Sequence, residues 1–136
     1  MIEYLLDTNI CIYVINNRKP EVRKKLFQIN PSSIAVSSVC LSEMLYGAAK
    51  SHAPEKASRA AKLFCSNFQT LPFDNEDAET FGLIRAYLER RGCPIGPYDM
   101  QIAAQALTRN LILVTNNVRE FERVPNLKIE NWVSLA

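Results

Sequence analysis

The sequence predicts an α/β domain built on a parallel sheet with helices on both faces. Two observations carry this. Short apolar runs alternate with longer segments of helical periodicity along the whole chain. The run Leu111-Ile112-Leu113-Val114 also contains no polar residue, so a strand there is buried on both faces, which in a parallel sheet takes helices on either side. Composition agrees, with 48% hydrophobic and 22% charged residues in 136 positions. A chain of that length buries a core without disulfide or metal staples, and residues 1–136 are expected to form one domain.

Taken in order, residues 2–6 form a short apolar strand that ends at the polar turn Asp7-Thr8-Asn9. Ile10, Ile12, Tyr13 and Ile15 then indicate a helix. Pro20 opens a second short helix carrying Val22, Leu26 and Phe27, since a missing N–H costs nothing in a first helical turn. Residues 33–37 form the next strand, and Ser37 or Ser38 caps a helix over Val39–Lys50. Pro54 starts a helix running to about Asn67. Leu71-Pro72-Phe73 is strand-like, and its proline places it at a sheet edge. Asp74 caps a long helix to Arg91, ended by Gly92. After the turn Cys93-Pro94-Ile95-Gly96, Pro97 begins a helix through Arg109. The strand at 111–114 follows, then a weak strand near Lys128-Ile129. No repeat, low-complexity tract or linker interrupts this pattern.

Several function classes are excluded. His52 is the only histidine, in the hydrophilic turn Lys50-Ser51-His52-Ala53-Pro54. A nuclease using two imidazoles as acid and base is therefore impossible, as is a two-histidine zinc helix. No Gly-x-Ser-x-Gly supports a serine hydrolase. The cysteines at 11, 40, 65 and 93 form no Cys-x-x-Cys pair and read as reduced thiols, three of them in apolar stretches. Acids near the N-terminus replace the basic residues of a signal peptide, and the apolar run there is too short to span a bilayer. The expected location is the cytoplasm, with no membrane partner.

Parallel sheets place their sites at the carboxyl ends of the strands, and the acids fall there. Asp7 ends the first strand, where it serves either a site or a helix cap. Glu43 shares its helical face with Val39, Cys40, Tyr46 and Gly47, an apolar setting for a carboxylate. Asp99 complements a helix dipole by its position in the first turn, but shares its face with Ile102, Ala103 and Ala106. Thr115-Asn116-Asn117 follows the strongest strand, either as an ordinary turn or as a fourth member of the cluster. Glu120 is a further outer ligand or a surface acid. Inward carboxylates repel one another unless a cation binds among them. Donors that are all oxygen select a hard cation, magnesium or manganese, and such sites commonly handle phosphates.

The motifs Asp7-Thr8-Asn9, Ser38 to Glu43 with Tyr46-Gly47, Gly96-Pro97-Tyr98-Asp99 and Thr115-Asn116-Asn117-Val118-Arg119-Glu120-Phe121 resemble the PIN-domain family. Within it the chain looks most like the VapC toxins of type II toxin–antitoxin pairs, over nearly its whole length. The resemblance implies a three-layer α/β/α fold with a central parallel sheet of four to five strands. It implies a Mg²⁺- or Mn²⁺-dependent endoribonuclease, a homodimer, held inactive by a VapB-type antitoxin. Asp7, Glu43 and Asp99 match the acidic, metal-holding cluster. Asn117 matches a fourth catalytic position that is often Asp in the family, so one negative charge is missing here. Thr8, Asn9, Thr115 and Glu120 fall in supporting positions. The Gly-Pro-Tyr-Asp and Asn-Asn-x-Arg-Glu-Phe forms resemble the group that cleaves initiator tRNA in the anticodon loop.

RNA requires positive surface. The segment 18–25 holds five basic groups against one acid, namely Arg18, Lys19, Arg23, Lys24 and Lys25, and Arg119 lies beside the fourth motif. Tyr98 offers a ring for stacking on a splayed base. Two competing classes, one phosphoacceptor or phosphatase and one non-enzymatic, are weaker. A receiver-like phosphoacceptor domain needs adjacent acids near its first strand and a lysine after the last main strand, and a dehalogenase-type phosphatase needs an acid where Asn9 stands. A PIN-like module that only binds RNA or a partner is disfavoured by the retention of all three acids. Without those three, sixteen basic groups face eleven acidic ones, so the net +2 becomes a basic scaffold around one acidic point.

Overall fold

The structure, a computed structural model, describes residues 1–134. Strand β1 (Tyr4–Leu6) leads into α1 (Thr8–Ile15) and α2 (Pro20–Phe27). After β2 (Ile34–Ser37) come α3 (Ser38–Ala49) and α4 (Pro54–Cys65). Next are β3 (Gln69–Leu71), α5 (Asn75–Arg90), α6 (Pro97–Thr108) and β4 (Ile112–Val114). A single turn of helix, α7 (Val118–Phe121), precedes β5 (Lys128–Glu130). All four strand pairings are parallel, in the order β3-β2-β1-β4-β5. The result is the three-layer α/β/α architecture, with five strands.

The central strands carry the core. Leu5, Leu6, Ile34, Ala35, Val36, Leu113 and Val114 are fully buried, the two-sided burial that unbroken apolar strands require. Helix starts follow the side-chain chemistry. Ser37 Oγ accepts from the Val39 amide at 2.9 Å, capping α3. Asp74 and Asp77 form a reciprocal capping box at α5. Asp77 then accepts from Arg109 Nη1 at 2.6 Å and from the Thr108 hydroxyl at 2.6 Å, pinning the start of α5 to the end of α6.

Three local expectations are corrected. The third strand occupies 69–71 rather than 71–73, because Pro72 ends the ladder instead of joining it; β3 does lie at the sheet edge. No separate turn follows β1, since Asp7 itself caps a helix that begins at Thr8. Residues 118–121 form a helical turn that buries Phe121 completely, where the sequence suggested only a turn after β4.

Candidate functional site

The strand order sets the location. The chain builds β1, β2 and β3 outward in one direction, then returns to place β4 on the other flank of β1. The reversal lies between β1 and β4, and the crevice outside the carboxyl ends of two such strands is where parallel α/β sheets bind ligands. Asp7 leaves the end of β1 there and Thr115 the end of β4. The Asp7 amide donates to the Val114 carbonyl at 2.9 Å, keeping the two ends together.

Asp7 is only 4% exposed, and both its oxygens are engaged. Oδ1 accepts from the Thr8 amide at 2.8 Å, and Oδ2 accepts from the Thr115 hydroxyl at 2.8 Å. One oxygen therefore caps α1, while the other turns toward β4. Burial raises the Asp7 pKa above the usual carboxylate range, the Thr115 and Thr8 hydrogen bonds oppose that rise, and the Glu43 charge adds to it. Thr8 ties Glu43 into the cluster: its hydroxyl donates to Glu43 Oε1 at 2.8 Å, joining α1 to the second turn of α3. Val39 and Cys40 behind Glu43 are buried as its apolar setting requires, whereas Tyr46 is 66% exposed.

On the β4 side, Thr115 Oγ1 also accepts from the Asn117 amide at 2.9 Å. The Asn117 side chain donates through Nδ2 to Glu120 Oε2 at 3.0 Å, so α7 brings Glu120 into the cluster. Asp99 enters from the first turn of α6, half-buried, above the fully buried Ile102, Ala103 and Ala106. Burial, then the charges of Asp7, Glu120 and Glu43, push the Asp99 pKa up to about 7. Four carboxylates thus converge from β1, α3, α6 and α7.

The donors fit a hard divalent cation. The cysteine nearest the cluster, Cys40, gives its Sγ–H to the Leu6 carbonyl at 3.6 Å, and burial holds its thiol far above the ordinary range. Thiolate ligation is therefore disfavoured and the available donors are oxygens. Among the described residues, no three His, Cys, Asp or Glu side chains already enclose a single ion position. The fit rests on donor type and on like-charge repulsion that a cation would relieve.

Other expected site residues divide. Asn9 lies in the same helical turn as Thr8 but is exposed and enters none of these hydrogen bonds. Tyr98 is 57% exposed beside Asp99. Arg119 is exposed on α7. The basic segment 18–25 starts beyond the end of α1, about 12 Å along the helix axis from Asp7. Within it Arg23 is committed to structure, donating to the Val14 carbonyl at 3.2 Å and to Asn17 Oδ1 at 2.8 Å. Lys19 takes a left-handed conformation (φ 50°) at the start of α2.

Sequence reasoning missed a second row along the rim. Asn116 Nδ2 donates to the Tyr13 hydroxyl at 3.4 Å, and Asn131 Nδ2 donates to Asn116 Oδ1 at 3.4 Å. Asn131 follows β5, and only the β4–β5 register, with Val114 opposite Glu130, brings it beside Asn116.

Comparison with known proteins places this geometry. The PIN domain family model matches residues 4–127. The tRNA(fMet)-specific endonuclease VapC of Salmonella typhimurium is 47% identical over 132 residues, covering 97% of this chain and 99% of that protein. Ribonuclease VapC2 of Haemophilus influenzae is 45% identical, covering 98% of this chain and all of that protein. A crystal structure of DNA-bound VapBC from Salmonella typhimurium superposes with a TM-score of 0.91 at 45% identity, covering 97% of this chain and 99% of that one.

Proposed function

The chain belongs to the PIN-domain family, and from that premise we propose that it is a divalent-metal-dependent endoribonuclease, the toxin of a VapBC-type toxin–antitoxin pair. Its proposed substrate is initiator tRNA, in line with the name of the Salmonella relative, a tRNA(fMet)-specific endonuclease, and the anticodon loop is the proposed place of cleavage. A VapB-type antitoxin is the proposed partner and a homodimer the proposed assembly. The observation that carries the reading is the convergence of Asp7, Glu43 and Asp99 at the reversal of strand order, with Asp99 pushed to about 7 by burial and then by its neighbours' charges.

Asp7, Asp99 and Glu43 would hold Mg²⁺ or Mn²⁺. When bound, the ion supplies charge neutralisation, activation of water and stabilisation of the developing charge on the leaving oxygen. The remaining work falls to the protein. The Thr115 and Thr8 hydroxyls fix the orientation of the Asp7 and Glu43 carboxylates. With Oε1 of Glu43 taken by Thr8, Oε2 is left to orient the attacking water and accept its proton. Attack at phosphorus forms one P–O bond and breaks the bond to O3′, which departs as the alkoxide and takes a proton from solvent water, giving a 5′-phosphate and a 3′-hydroxyl. Asn117 holds Glu120 and presents a neutral amide where a further carboxylate would add to the repulsion.

The test is to express the chain alone, map RNA ends in arrested cells, and repeat cleavage with purified protein in the presence and absence of Mg²⁺ or Mn²⁺. Asp7→Asn and Asp99→Asn should each abolish nearly all activity. Wild-type, metal-dependent cleavage by both variants would remove the residue assignment. Folded wild-type protein that neither arrests growth nor cuts RNA would leave a PIN-fold binding module instead.

A further inference from the structure

Helix α3 carries more than Glu43 on the face that meets the site. Positions 43, 46, 47 and 50 fall on one side of a helix, at successive turns. Of these, Tyr46 is 66% exposed, among the most exposed large side chains of the described residues. The Lys50 ammonium sits over its ring, 4.8 Å from the centroid. Gly47 lies between them without a side chain, and nothing stands within 4 Å of where its Cβ would be. A groove of about 320 Å³ lies on the other flank of α3, against α1 and α4, where Glu43, Met44, Gly47 and Ser51 meet Ile12 and Ile15; Tyr46 and Lys50 stand outside it. Along α3, carboxylate, aromatic ring and cation thus follow one another outward from the candidate catalytic cluster.

A tyrosine kept in water next to an acidic catalytic cluster needs an explanation that a core role does not give. Its ring is flat and uncharged, with a cation held against it. That combination suits one partner in particular, a single-stranded nucleotide: an unstacked base has a π-face for the ring, and its phosphate has a charge for the ammonium. Continuity with Glu43 fixes what the nucleotide belongs to. Tyr46 lies about 4.5 Å along the helix axis from Glu43 and Lys50 about 10.5 Å, within reach of a nucleotide neighbouring the phosphate at the acids.

We propose that Tyr46 and Lys50 form a stacking subsite for an unpaired nucleotide flanking the scissile phosphate, which selects single-stranded over duplex RNA. The inference rests on the endoribonuclease reading and adds to it the feature by which a loop is distinguished from a stem. Tyr46 and Lys50 bind and position RNA; neither takes part in bond breaking.

The experiment separates this from catalysis. Binding of a labelled single-stranded RNA of about a dozen nucleotides, and of its duplex form, is measured with full-length protein in EDTA, where no metal-dependent cut occurs. Tyr46→Ala should weaken single-strand binding by about tenfold and duplex binding little. Tyr46→Trp should retain wild-type binding, which a merely structural role would not produce. Lys50→Ala should weaken binding and reduce the salt slope by about one. Unchanged thermal melts establish that the variants are folded; Tyr46→Phe replaces Tyr46→Ala if the latter is not, and is compared with Tyr46→Leu. Equal affinity of wild type and Tyr46→Ala for the single strand, or an equal loss for duplex and single strand, overturns the subsite. Wild-type cleavage alongside that result would leave the nuclease reading intact.

Discussion

The Thr115 hydroxyl stands 2.8 Å from Asp7 Oδ2 across 108 positions of sequence, while accepting from the Asn117 amide at 2.9 Å. One side chain therefore aims a buried carboxylate and positions Asn117, the third residue beyond β4. Hydrogen bonds to charged groups contribute about 1.5–3 kcal/mol. Thr115→Val should lower cleavage at limiting metal by about 10- to 100-fold, and Thr115→Ser should restore most of it. Metal titrations of cleavage rate check both; equal rates for Val and Thr would dismiss the hydroxyl's role.

Asp99 makes the metal-free protein sensitive to pH. Its folded pKa is raised to about 7 by burial and by Asp7, Glu120 and Glu43, so the folded state holds a proton that the unfolded chain releases near pH 4. That contribution is complete below about pH 4 and is lost as pH rises through 7. Asp7, also raised, acts in the same direction. The melting temperature without metal should therefore carry a component that falls between about pH 4 and 7, and added Mn²⁺ should raise it most at the alkaline end. Asp99→Asn should flatten both trends. A wild-type Mn²⁺ effect independent of pH would contradict this account.

Asn117 occupies a position whose neutrality matters to the acidic cluster. Its Nδ2 donates to Glu120 Oε2 at 3.0 Å, so Asn117→Asp exchanges a donor for a like charge. Without metal the variant should lose about 1–2 kcal/mol of stability. Its stabilisation by Mn²⁺ should exceed that of wild type, because an added carboxylate strengthens attraction for a cation. Melting curves over a Mn²⁺ series read both quantities, and identical metal responses would count against Asn117 facing the cluster.

A structural ion pair lies at the opposite ends of the helices that position Asp99. Asp77 is fully buried and bonded to Arg109 and Thr108. Burial acts to raise its pKa, but the hydrogen bond from Arg109, with those from the Asp74 amide and Thr108, carries the balance below the usual value. Arg109→Met leaves that charge without its cation and should cost about 3 kcal/mol in urea unfolding near neutral pH. A depressed folded pKa means that the contribution is present above about pH 4 and lost on acidification, so the difference between the proteins should narrow below that pH. A constant gap across the range would indicate that packing, not charge, accounts for the loss.

What the sequence made legible follows from the cost of placing charge. Asp7, Glu43 and Asp99 stood out because carboxylates beside Leu6, Cys40 or Ile102 are expensive unless something compensates them, and the fold brings all three to one edge. The buried strands were equally plain from their unbroken apolar runs. Less legible was whatever depends on partners distant in sequence. The pairing of Asn116 with Asn131 exists only through the β4–β5 register. The single turn of α7 has too few residues to show a period, and only the burial of Phe121 reveals it. Net charge was visible in segment 18–25, but the length of α1 carries that segment away from Asp7, and Arg23 is occupied by backbone and Asn17. Tyr46 was assigned to an apolar stripe, because helical spacing groups it with Glu43 without saying which of them sits at the water boundary.

The late return of the chain to the flank of β1 has a consequence for how the protein is made. Asp7 is synthesised 108 residues before Thr115, whose hydroxyl orients it, and the residues of α7 follow later still. A growing polypeptide therefore has no complete catalytic edge until β4 has left the ribosome and slotted in next to β1. For a protein proposed to cut the RNA of its own translation machinery, strand order acts as a timer, withholding the finished edge until β4 is in place.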